Sequence, residues 1–193
     1  LLTFAKGGDP VKEDVSLGAL VEEVVRFDLS GSNVSLIYRQ VENLWTAEAD
    51  KGQIQQVISN LTVNARQAMP EGGHLYITLE NADLTATAIA GLVRGKYVKV
   101  SVRDEGTGID RKHLERIFDP YFTTKQTGNG LGLATAYSII NKHGGHIGVD
   151  SELGKGTTFT FYLPACGLPQ RAEEKPPAAD SLPAARTAKI LVM

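Results

Sequence analysis

Apolar side chains recur along this chain at two spacings, and the places where one spacing gives way to the other divide it into elements. Leu17, Leu20, Val21, Val24 and Val25 repeat at three to four residues behind Ser16, a plausible cap, and predict a first helix. From Gln53 to Met69, Ile54, Val57, Ile58, Leu61, Ala65 and Ala68 fall on one helical face, and Pro70 with Gly72-Gly73 ends the run. GLATAYSIINKHGG predicts a third helix that closes on a glycine pair. Alternation with period two marks VSLIYRQ, HLYITLENADL, YVKVSVRDEG, HIGVDSE and GTTFTFYLP as strands, the last two forming a hairpin across Gly154 to Gly156. The short LWTAEA predicts a further strand, paired with VSLIYRQ through a turn near Glu42-Asn43. TATAIAGLVRGK reads as a loop or short helix and RKHLERIF as a short helix. The sum is an α+β chain with helices against a mostly antiparallel sheet.

Outside this pattern the two ends differ in kind. Leu1, Leu2 and Phe4 precede Gly7-Gly8 and Pro10, so residues 1–13 read as the tail of an upstream helix with its linker. After Pro164, CGLPQRAEEKPPAADSLPAART is rich in Pro, Ala and charge, and residues 166–187 read as a linker. AKILVM, at 188–193, has the look of a buried strand with nothing after it to pair with. Both ends read as cut from a longer chain. With 193 residues, 42% hydrophobic and 22% charged, the chain has the composition of a globular protein with one well-buried core. Twenty basic against 22 acidic residues leave a net charge of -2, which gives no overall attraction to nucleic acid or to an acidic membrane. Any anion handling is therefore local. The single Cys166 excludes an internal disulfide framework and reads as a free thiol in a reducing cytosol. No apolar run approaches the roughly 18 to 20 residues of a membrane span, and LLTFAKGGDP lacks the layout of a signal peptide.

Three constellations carry chemistry. Asn60 and Asn64 stand four apart, so both amides share a helix face; they either satisfy a neighbouring loop or offer hard carbonyl oxygens to Mg²⁺. DEGTGID follows directly on a strand. Its Asp104 can accept from an exocyclic amine such as adenine N6, while Gly106 and Gly108 permit close backbone approach; an ordinary Asp/Gly turn is the alternative. TGNGLGLATAY places Gly128, Gly130 and Gly132 before a helix, where free N–H groups and the helix dipole suit phosphate. It has neither the Gly-Lys-Ser/Thr of a P-loop nor a Rossmann fingerprint. Between the turns, IFDPYFTTKQTG reads either as aromatics anchoring a loop or as a lid whose Thr123, Thr124 and Lys125 reach phosphates.

Taken in order, these motifs resemble those of the catalytic and ATP-binding domain of sensor histidine kinases, in the superfamily that also includes DNA gyrase and the large heat-shock chaperone ATPases (GHKL). NLTVNARQA is similar to the N box, DEGTGI to the G1 box, FDPYFTTK to the F box and GNGLGLA to the G2 box; the resemblance spans residues 14–165. It implies a two-layer α/β sandwich, the Bergerat ATP-binding fold, with three main helices on a mixed, mostly antiparallel five-stranded sheet under a mobile lid. It implies ATP and Mg²⁺ as ligands. Asn60 and Asn64 would be the Mg²⁺ and phosphate-side ligands, Asp104 the adenine contact, and Gly106 and Gly108 the opening of the base pocket. Gly128, Gly130 and Gly132 would hinge the lid and hold phosphate, and Lys125 would contact the γ-phosphate. Ile109, Phe118, Thr123, Thr124 and Leu131, inside the boxes, complete the implied nucleotide set. One departure stands out: Gln67 lies where many such kinases carry a basic residue or Asp, with Arg66 a possible substitute.

The resemblance further implies a cytoplasmic kinase module that phosphorylates a histidine on a dimerisation helix pair, in a full-length homodimer of which this fragment is a monomeric part. His74, His113, His143 and His146 lack the context of an acceptor and read as structural or solvated. TAKILVM resembles the first strand of a receiver domain, which makes a hybrid kinase the expectation, with a separate response regulator the other possible recipient. The rival readings are a non-catalytic ATP-sensing module, another ATPase of the superfamily, and a serine-directed kinase. Asn60, where the gyrase-like branch places a glutamate base, argues against efficient hydrolysis.

Overall fold

The computed structural model describes residues 8–85, 91–125 and 128–167. In chain order the elements are β1 (Glu13–Val15), α1 (Leu17–Asp28), β2 (Val34–Gln40), β3 (Ala47–Ala49), α2 (Lys51–Ala68), β4 (Gly73–Asp83) and β5 (Lys96–Asp104). A 3₁₀ turn (Arg111–His113), α3 (Gly132–Lys142), β6 (His146–Glu152) and β7 (Gly156–Pro164) follow. The main sheet has five strands in the order β2-β4-β5-β7-β6, all neighbours antiparallel except β2 and β4. All three α-helices cover one face, with α2 between α1 and α3. This is the mixed two-layer sandwich expected. The expected linker and receiver strand lie almost wholly outside the described residues, as do residues 1–7.

Each element follows from its apolar pattern. On α2, Ile54, Val57, Ile58, Leu61 and Ala65 are buried, and beneath them lie Leu75, Ile77, Val98, Val100 and Phe161 from three adjacent strands. At ~25 cal/mol per Å², a fully buried side chain of this kind contributes about 1.5–3 kcal/mol before entropy is counted. Ser16 stands at the start of α1, but its hydroxyl makes no capping bond. Asp50 does cap α2: Oδ1 accepts from Gln53 N at 3.0 Å, and Oδ2 accepts from Val11 N at 3.0 Å.

Two local expectations are corrected. β2 and β3 do not form a hairpin; β2 pairs in parallel with β4, and β3 pairs with β1 in a separate two-stranded sheet. Val41 N still bonds Leu79 O at 3.2 Å, so the chain stays paired with β4 right up to the residues where the hairpin turn was expected. RKHLERIF forms only a 3₁₀ turn and further turns. Its backbone bonds, such as His113 N to Asp110 O and Arg116 N to His113 O, span three residues, and Pro120 supplies no donor to extend them.

His143 ties the helical layer together from inside. It is completely buried; Nε2 accepts from Asp50 N at 2.9 Å, and Nδ1–H donates to Ile139 O at 2.8 Å. The end of α3 is thereby fastened to the start of α2. Burial pushes the His143 pKa down, against the smaller upward pull of the Ile139 carbonyl. A proton taken up at Nε2 would break the bond to Asp50. The unfolded chain therefore binds more protons than the folded one just below the ordinary histidine value of about 6.5, and stability is full above it and falls as pH drops through it. Chemical denaturation should show this loss as pH falls below about 6.5, and His143→Gln should flatten the slope while lowering stability by about 1–3 kcal/mol. An unchanged slope would mean that other groups carry it.

Candidate functional site

A cleft of about 640 Å³ opens between α2, the end of β5 and the loop that leads into α3. Helical geometry puts two kinds of residue on α2. The stripe through Ile54, Val57, Ile58 and Leu61 faces the sheet, and Asn60, Val63, Asn64 and Gln67, at spacings of three and four beside it, line the cleft.

Asp104 is there because of strand alternation. It continues the inward series Val98, Val100, Val102 and is 4% exposed, a carboxylate where a fourth apolar residue would otherwise stand. Its Oδ1 accepts from Gly106 N at 2.9 Å and from Thr157 N at 3.3 Å. Oδ2 has no partner among the described residues. Burial pushes its pKa up, and the two backbone donors and Lys125 offset part of the rise. The turn beyond it is pinned on both sides: Thr107 N bonds Ala68 O, Gly154 N bonds Thr107 O, and Ile109 N bonds Ser151 Oγ at 2.8 Å. Gly108 has φ +68°, and a Cβ there would run into the Glu152 carbonyl.

The segment before α3 is held in an unusual backbone path. Tyr121 adopts φ +66°, the one non-glycine residue with positive φ among those described, and its N–H bonds Gly130 O at 3.0 Å. Gly130, at φ +64°, crosses so closely that a Cβ would meet the backbone of Tyr121 and Phe122. Phe122 lines the cleft, with the Arg116 guanidinium 4.7 Å from its ring centroid and the His113 ring at 5.4 Å. Thr123 Oγ1 accepts from Lys125 N at 3.1 Å. The Lys125 ammonium donates to Gln67 Oε1 at 2.7 Å and to Asn64 Oδ1 at 3.2 Å. Loss of water pulls the Lys125 pKa down, and nearby Asp104 pulls it up. Asn60 packs beside Gly132, and its Nδ2 is buried with no partner among the described residues.

Most residues singled out in the sequence meet at this cleft. Asn60, Asn64, Asp104, Gly108, Ile109 and Lys125 line it, as do Thr123, Thr124, Gly128, Gly130 and Gly132. Gly106, Phe118 and Leu131 do not. Gly106 lies against Ala68, Phe118 packs between Tyr137 and Phe159, and Leu131 precedes α3. Arg66 is no substitute for a basic residue at position 67: its Nη1 reaches back to Asp28 O at 2.8 Å, away from the cleft. Sequence reasoning missed Val63, Ile117, Leu133 and Phe159 on the apolar wall, and Thr157, which reaches Asp104 from a strand that follows it by 53 residues. Val63, Ile117, Phe122 and Leu133 lie inside the motif segments, and that position was the signal that could have found them; Thr157 and Phe159, on β7, carried none beyond strand alternation. Among the described residues Asp104 is the sole carboxylate on the wall, and no three His, Cys, Asp or Glu side chains form a metal cluster.

A family model described as histidine kinase-, DNA gyrase B- and HSP90-like ATPase matches residues 49–166. The chain belongs to this ATPase family. Sensor kinase CckA of Brucella abortus is 46% identical over 156 residues, covering 78% of this chain and 16% of that protein. Sensor histidine kinase ZraS of Escherichia coli is 36% identical over 167 residues, 85% of this chain and 33% of that protein. The chain thus spans a third or less of these relatives. Among solved structures, the catalytic domain of histidine kinase ThkA superposes with a TM-score of 0.65 at 32% identity, over 80% of this chain and 95% of that one. Full-length ShkA, solved in complex with AMPPNP, gives 0.68 at 26% identity, over 86% of this chain and 34% of that one. Within the family this ATPase domain is therefore the catalytic domain of the sensor histidine kinase type. No helix among its described residues is long and apolar enough to cross a membrane.

The crossing at Gly130 gives a direct test of how tightly this ATPase domain holds the segment before α3. Gly130→Ala should cost more in urea denaturation than Gly31→Ala. Both have positive φ, worth about 1 kcal/mol, but only Gly130 has backbone in the path of a Cβ. Equal losses would mean that the crossing yields freely.

Proposed function

We propose that the cleft binds Mg·ATP and presents its γ-phosphoryl to a histidine on dimerisation helices outside this chain, in the ATP-rich cytoplasm. The observation that carries this is the wall itself: among the described residues, one buried carboxylate with a free oxygen, the amides of Asn60, Asn64, Gln67 and Asn129, one ammonium and an apolar floor, in a volume suited to a nucleotide. The relatives named sensor kinases and the neighbour solved with AMPPNP support it.

In this reading Asp104 Oδ2 accepts from the adenine amine, and Ile109, Ile117, Phe122 and Leu133 flank the base. Lys125, Gly128 and Gly130 approach the phosphates with positive charge and backbone N–H groups. Asn64 and Asn60 could offer their amide oxygens to a divalent cation: the Asn64 carbonyl already accepts an ammonium, while the buried Asn60 Nδ2, with no partner among the described residues, leaves a donor for a phosphate oxygen. Such a cation would neutralise triphosphate charge, taking its other ligands from phosphate and water. Transfer is chiefly positioning and electrostatics. An imidazole nitrogen of the acceptor attacks the γ-phosphorus with its own lone pair as the bond to the β-phosphate oxygen breaks. No base on this chain is needed for that step.

The lack of a base is also what disfavours hydrolysis. Asp104 holds Gly106 and Thr157 through Oδ1 and, in this reading, the adenine amine through Oδ2, and the one imidazole on the wall among the described residues, His113, packs against Phe122. Water has no carboxylate to activate it. The chain incubated with γ-labelled ATP and a polypeptide carrying the dimerisation helices should place label, acid-labile and base-stable, on that partner's histidine. Asn64→Ala should cut transfer by about 100-fold. Label on the chain alone, or release of phosphate without transfer, would defeat this reading.

A further inference from the structure

We propose that Gln67 is a positioning residue. With Asn64 it holds the Lys125 ammonium inside the cleft as a built-in counter-cation for the triphosphate, so that nucleotide binds measurably without a divalent ion. This rests on the cleft being an ATP site, as proposed above.

The argument begins with the acceptors. Lys125 Nζ donates to Gln67 Oε1 at 2.7 Å and to Asn64 Oδ1 at 3.2 Å, and both oxygens belong to neutral amides one turn apart on α2. An ammonium held by two carbonyls keeps its full charge, whereas one held by a carboxylate is neutralised. Gln67 and Asn64 both line the cleft, so that charge stands where an anion would enter. A free lysine loses much of its rotamer entropy when fixed. Here the helix has already fixed it, and moving from neutral carbonyls to phosphate oxygens strengthens its bonds. A glutamate at 67 would do the reverse, holding the ammonium as an ion pair and repelling the triphosphate. The position is suited to substitution, since Gln67 is exposed near the end of α2 and alanine is a strong helix former.

A double-mutant cycle tests this by calorimetric ATP binding, first in EDTA and then in Mg²⁺, on the wild-type chain, Gln67→Ala, Lys125→Met and the double variant. Thermal melts check that each is folded. In EDTA, Gln67→Ala should weaken binding about fivefold, roughly one hydrogen bond to a charged group. In the Lys125→Met background it should change nothing, and in Mg²⁺ its effect should shrink. Gln67→Glu should weaken binding more than Gln67→Ala. The inference is overturned if Gln67→Ala tightens binding, since Gln67 would then hold Lys125 back. An equal loss with and without Lys125 also overturns it, since Gln67 would then act independently. If the wild-type chain binds ATP in neither condition, the ATP-site reading itself fails.

Discussion

One helix has to serve two masters. α2 lies between α1 and α3 on the sheet, and its apolar stripe is the largest piece of the helical layer's contribution to the core. The same helix carries Asn60, Asn64 and Gln67 into the cleft. Because 3.6 residues make a turn, a residue cannot move on one face without rotating the other. The amides of the site are therefore fixed by the burial of Ile54, Val57, Ile58 and Leu61. The helix is also anchored at its start, by Asp50 and through it by His143 on α3, and at its end, where Ala68 O receives the turn after Asp104.

The electrostatics of the cleft follow from that rigidity. Among the described residues its wall holds one carboxylate and one lysine ammonium, each partly stripped of water and each favouring the other's charged form, with neutral amides beside them. Such a wall suits the proposed role of orienting a phosphate ester without offering water a base. In the proposed reading, the anion affinity that the chain's net charge of -2 does not supply comes from Lys125 and the glycine turn. The donor half of a transfer reaction has that character, with the acceptor arriving from elsewhere.

The local elements of the fold were legible because their spacings are strong. The three helices, the β6–β7 hairpin and the placement of Asp104 at a strand end all came from periodicity. Pairing was less legible: alternation in VSLIYRQ says that it is a strand, and nothing in it says that its partner begins at Gly73, across α2, instead of at Ala47. The motif residues of the site were visible as turns and amides. Its apolar wall was not, because Val63, Ile117, Leu133 and Phe159 look like any core residue until the fold curves them round the cleft. Arg66 failed for a geometric reason. One residue from Gln67 is about 100° around the helix, which carries it to α1.

If the cleft is an adenine site read by Asp104, calorimetric titration with Mg·ATP and Mg·GTP tests it most directly. Asp104→Asn keeps the oxygen that Gly106 and Thr157 hold and turns the other into a donor, which would face the adenine amine donor to donor. The wild-type chain should bind ATP at least about tenfold more tightly than GTP, and Asp104→Asn should lose at least about tenfold for ATP, ~1.4 kcal/mol, while remaining folded. Equal affinity for the two nucleotides, or ATP binding untouched by Asp104→Asn, would contradict the account.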